Sequence, residues 1–415
     1  MSATNLQNFS GDVQIRGTTF IKANTNTNNL AIGTDAGETA QGALATAVGR
    51  QAGQTSQGAS AVAVGNQAGQ TEQGNYAVAI GVQSAQSIQG TESVAIGHIA
   101  GKSSQGDNAV AVGWRAGETE QGGSATAVGY LAGNSTQGAD ATAVGRLAGQ
   151  TSQGTLSTAV GYAAGFTEQG GSAVAMGRNA GRTSQGAQGV AVGGYAGFSE
   201  QATFSVAVGY EAGKTSQGTK AIAVGYLAGS SEQGAVSIAV GNGAGLTAQG
   251  ASAVAVGPDA GKTSQGDYTV AVGRFAGNTS QVDDATAIGH AAGQISQSSQ
   301  ATAVGRAAGY EAQAANATAV GYGAGQTSQG TNATALGDRA GQVSQGTQAV
   351  AVGYLAGQSD QGDRGVAVGR EAGKIAQTQY SVAVGYTAGM TSQGENAQAI
   401  GANSGRDSQL AEAVA

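Results

Sequence analysis

Residues 45–58 read ATAVGRQAGQTSQG, and residues 61–74 read AVAVGNQAGQTEQG, the same phrase displaced by sixteen residues. Counted from the glycine that closes each Ala-aliphatic-Gly triplet, the phrase returns every 16 residues from Gly33 to Gly401, 24 times without a slip. The residue two before that glycine is Ala in every repeat, from Ala31 to Ala399, and the residue one before it is Val, Ile, Leu or Met. A second glycine stands four after the first, with Ala85 the one exception, and Gln stands eight after it throughout. A fixed period of this length marks a stack of identical supersecondary units.

The segment AVAVG is short and alternates, which is strand-like. A helix of this composition would carry two glycines in every 16 residues, each costing roughly 1 kcal/mol relative to alanine. Two glycines suit two bends instead, where a positive φ or a close backbone approach is needed. The sequence therefore predicts an all-β fold, a parallel β-solenoid or β-roll of 24 sixteen-residue coils. Stacked about 4.8 Å apart, the coils would run on the order of 115 Å.

Stacking assigns the fixed glutamines a structural role. Gln41, Gln57, Gln73, Gln105, Gln217, Gln329 and Gln409 mark a file in which each amide donates to one neighbouring coil and accepts from the other. The Thr or Ser two before each Gln, present in 19 of 24 repeats, is expected to form a parallel hydroxyl row, and Ile295, Val343 and Ile375 in the same row mark it as partly buried. In AVAVG the two valines point to one side and the central Ala to the other. The valines are expected to fill the coil and the alanines to form a flat outer face. Burying that face about a threefold axis predicts a homotrimer.

Composition agrees with a thin, repeated core. The 415 residues include 74 Gly, one Pro, no Cys and only 10% charged side chains. A formal charge of -7 and a pI near 4.9 argue against nucleic acid or an anionic membrane as partner. The opening MSATNLQNFSGDVQIRG has neither the basic start nor the apolar stretch of a signal peptide. No segment approaches the ~20 apolar residues of a membrane-spanning helix, so membrane insertion is not expected.

The phrases SVAIG at 93–97, AVAIG at 77–81 and SVAVG at 205–209 and 381–385 resemble the YadA-like head repeat of trimeric autotransporter adhesins. The resemblance runs from residue 29 to about 405. It implies a trimer of left-handed parallel β-rolls with a surface or adhesive role. The coil here is longer than the family's usual one, and the signal peptide, coiled-coil stalk and membrane-anchoring barrel of that family have no counterpart in this sequence. The opening NFSGDVQIRGTTFIKANTNTNNLAIG, residues 8–33, is similar to the lead-in of viral fibre and tail-fibre proteins, where a short β segment precedes a repetitive shaft. Residues 1–28 are accordingly read as a β cap or attachment segment, 29–408 as repeats and 409–415 as a tail.

Chemistry has few places to reside in such a stack. His98 and His290 take the same place in repeats 12 coils apart and do not share a metal within one chain. GKTSQG at 261–266 lacks the helix of a phosphate loop, and no GGxGxD calcium array is present. Catalysis, cofactor and metal are therefore not expected. The informative position is the residue directly after the first glycine. It holds Tyr130, Tyr162, Tyr210, Tyr226, Tyr322, Tyr354 and Tyr386, Arg50, Arg146, Arg178, Arg274, Arg306 and Arg370, and Trp114. One reading makes this line a soluble edge; the sharper one makes it a multivalent surface whose rings stack on sugars or contact a receptor.

Asn-x-Ser/Thr triplets occur at Asn134, Asn278, Asn316 and Asn332, in turns that the register places outside. Ice binding by the Thr/Ser row is opposed by Glu311 and Asp407, which interrupt it. The functional expectation is a structural fibre or surface appendage at a virion surface or outside a cell. The alternatives are an adhesin anchored by another chain and a subunit that polymerises end to end.

Overall fold

The computed structural model describes residues 28–415, together with the backbone of the strands Val13–Ile15 and Thr18–Asn24. Most of the cap or attachment segment assigned to residues 1–28 lies outside the described residues. The described chain is all-β, a parallel β-solenoid whose strands recur every 16 residues from Asn29–Ile32 to Gln398–Ile400. It falls into two compact units, Met1–Phe204 and Ser205–Ala415, built from the same coil.

Each coil contributes a strand from the AVAVG segment, such as Val62–Val64, and a second short strand such as Thr71–Gln73. The first kind stack in register, Val62 on Val78 and Ala63 on Ala79, and the second likewise, Thr71 on Ser87 and Gln73 on Gln89. The first glycine of the repeat turns the corner between them. At Gly129 φ is +134°, and an added Cβ would stand 2.5 Å from the carbonyl oxygen of Gly145 in the next coil. No L side chain fits there.

Non-glycine residues also enter the left-handed region at fixed places in the coil, as at Gln51 (φ 57°), Ser56 (φ 56°) and Ser60 (φ 55°). Such a conformation costs roughly 1–2 kcal/mol per residue. The cost is offset because the rotated N–H groups reach back to the preceding coil: Gln51 donates to Thr34 at 2.8 Å and Ser60 to Ala43 at 2.8 Å. Thr46 and Gly53 donate forward, to Ala61 and Ala68. Most of the backbone bonding of a coil is thereby to its neighbours.

The interior corrects one expectation. The central Ala of AVAVG points inward and is fully buried, as at Ala63, Ala79 and Ala127, while the flanking valines are half-buried and face outward. The interior is too thin for valine because the fixed Gln already crosses it. Gln121 lies so close that a Cβ on Gly117 would meet its Oε1 at 2.7 Å and Ala111 Cβ at 3.2 Å. Alanine and glutamine are the core, and the predicted flat Ala face does not exist on the outside.

At the start of the repeats, Thr18–Asn24 pairs antiparallel to Asn29–Ile32, with Ile21 opposite Ile32 and Asn24 opposite Asn29, and Val13–Ile15 pairs antiparallel in turn. This covers the edge of the first coil's strand. Near the other end, Ala415 donates to Gln398 at 2.8 Å and accepts from Ile400 at 2.9 Å, so residues after Gln409 keep the repeat register.

Candidate functional site

The glutamine file is built from one hydrogen-bonding unit. Gln137 Nε2 donates to Thr126 O at 2.9 Å across the coil, to Ala141 O at 3.3 Å in the following turn, and to Gln153 Oε1 at 3.0 Å in the next coil. The chain of amides runs unbroken from Gln105 to Gln201 in the first unit and from Gln217 through Gln329 to Gln409 in the second. Gln41 reaches Gln57 at 3.1 Å and Gln73 reaches Gln89 at 3.1 Å. Two acceptors, Gln73 Oε1 and Gln105 Oε1, are buried without a partner. The second lies beside the one repeat in which Ala85 replaces the second glycine, where Gln89 Nε2 donates only to the carbonyls of Val78 and Ser93. Nothing in the structure explains the first.

The Thr/Ser row does not bond hydroxyl to hydroxyl. Thr55 Oγ1 donates to Gln70 O at 3.3 Å and Thr71 Oγ1 to Gln86 O at 3.3 Å, so the row ties side chain to the next coil's backbone. Ile295 in that row is half-buried, and Val343 and Ile375 are exposed.

The line of aromatic and arginine side chains is a stack along the coils. Trp114 and Tyr130 are nearly parallel with centroids 4.7 Å apart, and His98 lies 6.4 Å beyond Trp114. The Arg146 guanidinium sits between Tyr130 and Tyr162, at 5.5 and 5.7 Å, and Arg370 sits between Tyr354 and Tyr386, at 5.5 and 5.8 Å. Tyr210 stacks on Tyr226 at 5.6 Å, and Arg306 lies 5.7 Å from Tyr322. Arg178 and Arg274 turn instead to Tyr195 and Phe275, at 4.7 and 4.6 Å, and Arg50, between Thr34 and Asn66 in the file, is exposed. Each such contact is worth about 0.5–1 kcal/mol at an exposed site. Tyr130 lies between Trp114 and Arg146, and Tyr162, Tyr354 and Tyr386 each have one ring face against an arginine of an adjacent coil.

A second stack was not anticipated. Arg182 lies 5.3 Å from Phe166 and 5.5 Å from Phe198, three residues one repeat apart. Laying the sequence out in rows of sixteen would have aligned them.

The sequence reading also missed the outward face of the AVAVG sheet. Its two files are the residues three and one before the first glycine. Ile80, Ile96, Met176, Ile288 and Leu336 in the second file are each more than a third exposed. The signal was present: Ala is invariant at the inward position, whereas the outward ones accept Val, Thr, Ile, Leu and Met, a range of sizes that a thin interior excludes.

Among the repeat-borne Asn-x-Ser/Thr triplets, Asn134 Nδ2 donates to Arg115 O and Glu118 Oε2, and Asn278 Nδ2 to Asp259 O at 2.7 Å, while Asn316 and Asn332 are exposed. Among the described residues no group of three or more His, Cys, Asp or Glu side chains is placed to hold a metal ion, and no helix is long and apolar enough to cross a membrane. No protein-family model matches the chain, and no curated protein matches it.

Proposed function

We propose that the chain is a structural, non-enzymatic subunit of a fibre or surface appendage, assembled as a homotrimer of β-rolls and displayed at a virion surface or outside a cell. The observation that carries this reading is the outward sheet face. Its two files, one aliphatic throughout and one of Val and Ile interrupted by threonines, continue coil after coil, half-exposed and without a partner among the described residues. A face about 10 Å wide over a dozen coils at about 4.8 Å each offers on the order of 600 Å² per copy, enough for a contact near the lower end of the stable range. A continuous apolar strip of that extent is unusual on a monomer. Cyclic closure, as the YadA-like resemblance implies, removes it from water without leaving an open surface.

The adhesin reading is less well supported. Sugar stacking needs ring faces, and those of Trp114 and Tyr130, with one face of Tyr162, are turned toward their own neighbours. End-to-end polymerisation through the AVAVG sheet needs an open edge at the first coil, where Thr18–Asn24 is already paired.

The test is a charged variant of the face, Val128→Lys with Val256→Lys. Both side chains point out, so the coil should keep its β circular dichroism while sedimentation shows a single chain. Retained assembly of a folded variant would remove the face from the interface and this reading with it.

A further inference from the structure

The residue three before the first glycine is sorted by polarity. In the first unit, valines from Val62 to Val110 give way to Thr126, Thr142 and Thr158 and then to Val174 and Val190; in the second, Ile222 to Val270 give way to threonines from Thr286 to Thr334 and then to Val350 through Val382. Threonine and valine have the same shape, and at this position both are half-buried. The coil treats them alike: Thr126 stacks in register on Val110 on one side and Thr142 on the other. The hydroxyls of these threonines make no hydrogen bond within the described residues, unlike those of Thr55 and Thr71 in the other row. Among the described residues nothing responds to the sorting.

We infer that the threonine blocks set the register of self-association, aligning copies of this chain in parallel with equal residues at equal height. The inference rests on the self-association proposed above. In register, each threonine level meets threonines of the other copies, and because a hydroxyl is both donor and acceptor, three at one level close a ring in which each donates to the next. Displaced by four coils within the second unit, the same hydroxyls face isoleucine or valine, except Thr334 where it meets Gln398. They are then desolvated without a partner, which disfavours the shifted pairing. The valine blocks supply contact area and tolerate any register; the threonines select one.

The chain has no cysteine, so single-cysteine variants report the register directly. Val254→Cys, Thr318→Cys and Val366→Cys would each be treated with a short bis-maleimide, alone and in pairs co-refolded from mixtures. The expected result is cross-linking within each variant and none between different variants. A cross-link between the 254 and 318 variants shows a four-coil shift, and one between 254 and 366 shows antiparallel pairing; either overturns the inference while self-association stands. Assemblies by light scattering with no cross-link at all place the contact elsewhere and overturn it as well. A monomeric mass removes the underlying reading, and the register with it. In a background carrying Thr286→Val, Thr302→Val and Thr334→Val, cross-links between the 254 and 318 variants are expected to rise from absent to a level comparable with those within each variant. Unchanged specificity there denies the threonines their role.

Discussion

Gln57 Nε2 lies 2.9 Å from the carbonyl oxygen of Thr46, on the opposite wall of the same coil. That bond fixes the distance between the two walls and decides which side chains fit between them. A buried amide that satisfies a strand carbonyl from across the coil leaves room for small side chains only, alanine at the centre of every strand and Ala, Gly, Ser or Thr269 just before it.

Removing one such amide should be costly. Gln137→Ala deletes three donated bonds and removes the side-chain acceptor of Gln121 Nε2, an expected loss of about 2–4 kcal/mol from unpaired groups and the void. Denaturant melts measure it. Gln137→Glu keeps the shape but buries a carboxyl that is disfavoured when ionised, so its pKa rises on folding. The variant should then be nearest to wild type in acid and lose stability as pH rises, because the native state holds the proton longer than the unfolded one. Equal destabilisation at pH 4 and pH 8 would contradict a dry interior.

The inward alanines and outward valines separate cleanly by mutation. Ala127→Val overfills a fully buried site and should cost about 1–3 kcal/mol or more. Val128→Ile adds a methylene on the outer face and should change the melting temperature little. The opposite ranking would restore the valine-filled coil.

Ala85 offers a stabilising change. Ala85→Gly removes the Cβ beside the Gln89 amide and lets it reach Gln105 Oε1, which has no partner. The expected gain is about 1 kcal/mol, one buried hydrogen bond. By contrast Gly129→Ala, at φ +134° and against Gly145 O, should prevent the local coil from forming. Thermal melts rank the two.

The aromatic and arginine file should act on stability and not on attachment. Replacing Tyr130, Tyr162 and Tyr210 together by Ser removes stacked contacts worth about 0.5–1.5 kcal/mol each and leaves the assembled mass unchanged. Binding to cells or glycan arrays that vanishes in this variant would instead support the adhesin reading.

The sequence made the coil legible because stacking preserves side-chain identity along each file. Gln153 pairs with Gln169 for the same reason that Gly129 stacks on Gly145. What it did not reveal was orientation. Alternation in AVAVG says that Val and Ala face opposite ways, not which way is in, and hydrophobicity pointed to the wrong side. Size constancy was the better guide: Ala175 is invariant in its file while Met176 stands among valines in the next. The stack of Trp114 on Tyr130 also followed from register, but its consequence, that both faces of Tyr130 are covered, needed the side-chain geometry.

The central claim is that the outward aliphatic face of the AVAVG sheet is covered by further copies of the chain. Light scattering after size exclusion tests it most directly. The account predicts a sharp species at three times 39.9 kDa. A sharp species at 39.9 kDa, with the face left in water, would contradict it.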